Sequence, residues 1–133
     1  MGLLSKIFSN TRKPEGFWGR MMVNGMNGGS HAALPFKDDT FSLVTAFETV
    51  YFWPDIEKSF AEVRRVMTSG ATFCIVNEDD GLSGNNAKWE KIIVGMHTYT
   101  PDELEGHLTA AGFKDIAVRR DETKHWLMVT ANK

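Results

Sequence analysis

The residues with chemistry to offer fall in three places. Glu48 and Tyr51 follow directly on an apolar run, Asn77-Glu78-Asp79-Asp80 sets three carboxylates in succession, and His31 sits in a Gly-rich stretch. Position alone singles out Glu48, Tyr51 and His31, and no general base is identified, so catalytic residues stay unassigned. Three adjacent carboxylates invite a divalent metal, but successive residues of an extended chain point to opposite sides and no histidine accompanies them. A solvated loop is therefore expected there, and no metal. A lone histidine in a Gly-rich loop is more often a solvated turn residue, although His31 could face a pocket.

Elements must exist to hold these groups. Phe41 to Phe47 and Ala71 to Val76 are short apolar runs bounded by polar and Gly residues, and both read as buried strands. Between them Phe60, Val63, Val66 and Met67 recur at helical spacing, beginning just after Pro54-Asp55. Strand, helix, strand is one right-handed crossover with parallel strands. Leu43, Val44, Ala46 and Phe47 do not alternate with polar residues, which predicts a sheet buried on both faces. Pro54 suits the helix's first turn and Asp55 its positive end, with Phe52 and Trp53 packing against the helix start. Glu57, Lys58, Glu62 and Arg65 read as its solvated face. Gly70 is expected to turn the chain into the second strand.

Further along, Trp89, Ile92, Ile93 and Met96 make an apolar helical face. Thr100-Pro101-Asp102-Glu103 carries the start signals of a helix buried through Leu104, Leu108 and Ala111 and stopped by Gly112. Phe113 to Arg120 and Trp126 to Ala131 read as an antiparallel hairpin. His107 and His125 need no role. Near the amino end, Phe17, Trp18, Met21, Met22 and Met26 fall on one helical face, which by its composition covers a core.

At 133 residues the chain has the usual size of one domain, with an apolar share of 42% and a charged share of 24% that are ordinary for a globular protein. A net charge of −2 gives no electrostatic reason to expect nucleic acid or an anionic membrane as partner. The single cysteine, Cys74, lies in an apolar strand and reads as a core residue. MGLLSKIF is too short an apolar start for a signal peptide, and no stretch approaches a membrane span, so a cytoplasmic location is the expectation.

LPFKDDTFSLVTAFETVYFWPD from Leu34, followed by the helix ending EVRRVMTSGATFCIV, resembles the second half of a class I S-adenosylmethionine-dependent methyltransferase. Ser42 stands where that family usually has aspartate, and Met67 to Ala71 where it usually has Leu-Lys-Pro-Gly-Gly. The resemblance implies an α/β fold: a truncated Rossmann-like methyltransferase sheet of about four strands, two parallel plus a C-terminal antiparallel hairpin, with flanking helices. Residues 1–33 would be a tail and lid-like helix, and residues 34–133 the C-terminal half of the methyltransferase-like domain. FWGRMMVNGMNGGSHA also resembles the leading helix of one subgroup. What lies between the two blocks in that family is missing, since no D-x-G-x-G-x-G loop occurs in the chain.

The implied function is methyl transfer from S-adenosylmethionine to a small-molecule acceptor. The implied cofactor-binding residues are Leu34, Pro35, Phe47, Glu48 and Thr49, and the acceptor-binding ones Trp18, His31, Tyr51 and Trp53. The alternative is a non-catalytic remnant serving as a binding or dimerisation module. With its former neighbours gone, the Phe41–Phe47 strand is expected on the sheet edge, where its unpaired backbone could recruit a second copy into a homodimer.

Overall fold

The computed structural model describes residues 34–133. The elements are β1 (Phe41–Phe47), a single 3₁₀ turn at Val50–Phe52, α1 (Ile56–Val66), β2 (Met67–Asn77), α2 (Asn86–Ile92), α3 (Pro101–Ala110), β3 (Lys114–Asp121) and β4 (Trp126–Asn132). They form a four-stranded sheet in the order β1-β2-β4-β3. β1 and β2 are parallel, and β4 runs antiparallel to both β2 and β3. The crossover, the hairpin and the edge position of β1 among the described residues all match the sequence expectation.

β2 is longer than expected. It begins at Met67, which the spacing assigned to the helix, and the register jumps from Phe41↔Met67 to Leu43↔Thr72. Two steps along β1 thus face five along β2, so the Thr68–Ala71 stretch loops out as a bulge in which Gly70 takes φ 75°. Gly70 therefore works inside the strand rather than ahead of it. At the other end of α1, Asp55 is the cap, accepting from the Lys58 amide at 3.4 Å. Pro54 precedes that cap instead of occupying the first turn.

The sheet is buried on one face rather than two among the described residues. Val44 and Ala46 of β1, Phe73 and Ile75 of β2, and Leu127, Val129 and Ala131 of β4 are all buried, while the alternate residues on each strand are only half-covered. Period-two burial under a layer of helices is the two-layer solution. α1 and α3 lie together on the buried face, contributing Phe60, Val63, Val66, Leu104 and Leu108. Arg64 Nε donates to the Gly112 carbonyl at 3.1 Å and joins them. The aromatic centre is Trp53, stacked on Phe73 with centroids 6.2 Å apart and edge-on to Phe60 at 6.0 Å. Phe73 also meets Phe113 at 5.7 Å. Trp53 packs against the helix start as expected, whereas Phe52 is largely exposed.

Three polar expectations need correction. Glu62 and Arg65 are a clamp, not a solvated face: Glu62 Oε1 accepts from the Leu34 amide at 2.6 Å, and Arg65 reaches Glu62, Asp38 and the Leu34 carbonyl. Their reach across from α1 fixes the chain entering β1. Asp80 is fully buried, not solvated. Arg120 Nη2 meets its Oδ2 at 2.7 Å, His125 Nδ1 lies 3.1 Å from Oδ1, and the Leu82 amide donates to Oδ1 at 2.9 Å. His125 thus has a structural partner, and so does His107, whose Nδ1 is 3.0 Å from Glu57. Finally, α2 buries none of its residues, and among the described residues Trp89, Ile92 and the capping Ile93 are uncovered. No described helix is long and apolar enough to cross a membrane.

Burial alone would push the Asp80 carboxyl up, but the Arg120 hydrogen bond, the Leu82 amide and His125 together outweigh it and hold the group below its usual value. A carboxyl depressed in the folded state adds stability above its unfolded pKa and loses it as pH falls through the folded one. Arg120→Met strands the buried charge and should cost about 3 kcal/mol at neutral pH. In that variant burial dominates and favours the protonated acid, so the deficit should shrink as the solution is acidified. Urea unfolding of both proteins at about pH 7.5 and about pH 3.5, on either side of the ordinary carboxylate values, measures this, and a deficit independent of pH would contradict the assignment.

Candidate functional site

In an open parallel sheet the carboxyl ends of the strands are where a ligand can approach backbone and loop groups at once. At that end of β1 the chain leaves the strand through Glu48, whose φ of 54° is unusual for a residue with a side chain. Its amide still donates to the Val76 carbonyl at 2.9 Å, so the left-handed twist falls right at the exit from the ladder. The side chain turns sideways across the end of β2, where Oε1 accepts from the Glu78 amide.

Three residues on, the 3₁₀ turn buries Tyr51 beneath the same carboxylate. Tyr51 Oη accepts from the Asp79 amide at 3.1 Å and has Glu48 Oε1 at 3.3 Å and the Asp79 carbonyl at 3.4 Å as acceptors for its own proton. The Tyr51 carbonyl accepts from the His97 amide at 2.8 Å, which brings in the segment leading to α3. Burial raises the Glu48 carboxyl above its ordinary value despite the Glu78 amide. Burial and then the neighbouring Glu48 charge drive the Tyr51 phenol far upward, so it stays a hydrogen-bond donor. A carboxylate with a raised pKa, oriented by a phenol that does not ionise, is equipped to take up a proton.

Four buried side chains at this end have polar atoms with no partner: Thr49 Oγ1, Trp53 Nε1, both amide atoms of Asn77, and Thr98 Oγ1. Thr49 and Trp53 follow β1, Asn77 is the last residue of β2, and Thr98 adjoins the His97 amide that bonds Tyr51. An unsatisfied buried polar group costs about 1–3 kcal/mol, so these atoms are candidates for bonds to groups outside the described residues.

The structure brings Phe47, Glu48, Thr49 and Tyr51 together. It sets Trp53 behind them in the aromatic core, only its Nε1 left to offer. Leu34 and Pro35 are not with the group: Leu34 is clamped to the last two turns of α1, at the amino end of β1, and seven strand residues, roughly 23 Å, lie between. Trp18 and His31 fall outside the described residues. Sequence reasoning missed Asn77 and Thr98. An asparagine closing an otherwise apolar strand was the one available signal for the first, and Thr98 had none. The carboxylates after β2 part company, Asp79 capping its own loop at Gly81 and Ser83 while Asp80 turns inward. Among the described residues no three His, Cys, Asp or Glu side chains gather to hold a metal.

Comparison with known proteins finds mostly methyltransferases. The family described as "Methyltransferase domain" matches residues 12–75. A rice (Oryza sativa subsp. japonica) protein, 2-methyl-6-phytyl-1,4-hydroquinone methyltransferase 1, is 26% identical over 105 residues, 76% of this chain and 31% of that protein. A Thermotoga maritima S-adenosylmethionine-dependent methyltransferase, described as a possible histamine N-methyltransferase, superimposes with a TM-score of 0.64 at 18% identity, covering 79% of this chain and 62% of that one. Haemonchus contortus phospholethanolamine N-methyltransferase 2, solved with phosphomonomethylethanolamine and S-adenosylhomocysteine, gives 0.63 at 13%, covering 75% and 35%. The chain therefore spans less than two thirds of the length of these relatives. The chain is thus similar to the methyltransferase-domain family over residues 12–75 and shares the fold of these solved methyltransferases.

Proposed function

We propose that this chain serves methyl transfer from S-adenosylmethionine to a small-molecule acceptor, with residues 34–133 as the acceptor-side half of the domain. The observation that carries this is the cluster at the carboxyl end of β1: a proton-accepting Glu48 fixed by Tyr51, beside unpartnered Thr49 and Asn77. In the transfer the acceptor's lone pair forms the new bond to the methyl carbon as the carbon–sulfonium bond breaks. Its electron pair stays on sulfur, leaving S-adenosylhomocysteine. The acceptor's proton goes to Glu48. Phe47 and Thr49 flank the donor, and Trp18 and His31 from residues 1–33 complete the acceptor side. That the Haemonchus neighbour holds S-adenosylhomocysteine supports the donor assignment, and the named substrates of the relatives support a small acceptor.

The donor's usual Gly-rich loop does not occur in the sequence, which makes binding the decisive measurement. Calorimetric titration with S-adenosylmethionine should show saturable heat at or below about 1 mM, the weak end of specific binding. No heat at that concentration overturns the methyltransferase reading. Where turnover is observed, Glu48→Gln should lower kcat by about 10²-fold or more while leaving donor affinity unchanged. Because the carboxyl must be ionised to act, kcat/KM should rise with pH through the raised Glu48 pKa, and that limb should flatten in the variant. An unaltered pH profile would remove Glu48 from the proton path.

A second reading is favoured by β1, which among the described residues pairs with β2 alone and leaves Leu43 and Thr45 half-covered. The Phe41 to Ala46 part of this edge is a template for a second copy. Light scattering on a size-exclusion column should then report a homodimer at about 100 µM, a concentration at which even weak edge pairing is populated. Leu43→Lys should shift it to monomer, and a monomeric parent protein would dispose of the pairing role.

A further inference from the structure

The loop and helix after β2 carry an apolar surface that the site does not use. Trp89 and Ile92 stand at i and i+3 on α2 and Ile93 caps its end in extended conformation, and each is at least a third exposed. Val94, just past the helix, is 99% exposed. It sits at the tip of a turn closed by the Met96 amide to the Ile93 carbonyl at 3.2 Å, with Gly95 at φ 82°. Four large apolar groups in one continuous stretch are more than scattered surface hydrophobics.

The charges beside them are arranged by sign. Lys88 borders the apolar face, its ammonium 5.5 Å from the Trp89 ring centroid, and Lys91 stands further round the helix; neither has an anionic partner among the described residues. Glu90, on the far side, is drawn into the fold, accepting from the Thr98 amide at 2.7 Å. The outward surface is therefore cationic and apolar with an interfacial tryptophan, although the whole chain has a net charge of −2. Net charge averages over the molecule, whereas a bilayer meets only the patch within a Debye length of it.

We infer that α2 and the Val94 turn form a docking surface for an anionic lipid bilayer, Ile92, Ile93 and Val94 entering the headgroup boundary while Lys88 and Lys91 meet lipid phosphates. The His97 amide, bonded to the Tyr51 carbonyl, ties the end of this segment to the carboxyl end of β1. Docking would thus set the Glu48 side of the sheet next to the membrane. The inference concerns binding alone and stands whether or not methyl transfer occurs.

Flotation of the full chain with vesicles tests it. The protein should rise with phosphatidylcholine vesicles containing about 30% phosphatidylglycerol, much less with phosphatidylcholine alone, and the binding should weaken several-fold in about 0.5 M salt. Val94→Asp should lower apparent affinity about tenfold on anionic vesicles. Lys88→Glu with Lys91→Glu should abolish the preference for them, losing roughly fivefold per site. All three positions are exposed, and circular dichroism of each variant checks that the fold is kept. Failure of the parent protein to float with either vesicle overturns the inference, as does flotation of both variants at the parent level. The former is the result expected if another part of the chain or a second copy covers α2.

Discussion

Two parallel strands cannot be joined by a tight turn, so β1 and β2 exist side by side only because α1 crosses back between them and buries its face on both. Every later feature inherits this. Phe60, Val63 and Val66 meet Val44, Ala46 and Phe73 across that interface. Fully burying each large side chain contributes about 2 kcal/mol, so this one contact surface rivals a small domain's net stability. Trp53 closes it from above, and α3 extends it across β4. The clamp of Glu62 and Arg65 on Leu34 then holds the entry to β1 from the same helix.

The same crossover shapes the site. α1 has to start beyond the carboxyl end of β1, which leaves eight residues, from Glu48 to Asp55, to leave the sheet and turn back. Two of them, Glu48 and Asp55, take positive φ to do so. The left-handed turn at Glu48 aims its carboxylate across β2 instead of along the strand, and the 3₁₀ turn brings the Tyr51 phenol under it. Backbone geometry needed for the return journey thus doubles as positioning of an acid group with a raised pKa. The orphaned atoms of Thr49, Asn77 and Thr98 border the same turn.

Much of the architecture was legible because it is written in local period. Apolar runs at 41–47 and 71–76, helical spacing between them, and the Thr100 capping box each depend on neighbours a few residues apart. The errors came where a distant partner decides. Met67 has the spacing of a helix residue, yet a strand four positions from its expected start recruits it. Glu62 and Asp80 have the look of solvated carboxylates, and only the approach of Leu34, Arg120 and His125 from 28 or more positions away takes them out of water. The apolar face of α2 reads as core in one dimension and has no core to meet among the described residues.

The order of elements, the identity of the buried stripe on α1 and the resemblance to methyltransferases were set by the sequence itself, because periodicity and motif need nothing beyond the chain's own neighbourhood. Tertiary structure alone decided that one face of the sheet carries the described helices, that Leu34 and Pro35 lie a strand's length from Glu48, and that Tyr51, Asn77 and Thr98 share one end with it. Hydrogen bonding and burial between residues far apart in sequence fix those relations, and no local pattern encodes the distance between two groups that only folding brings together.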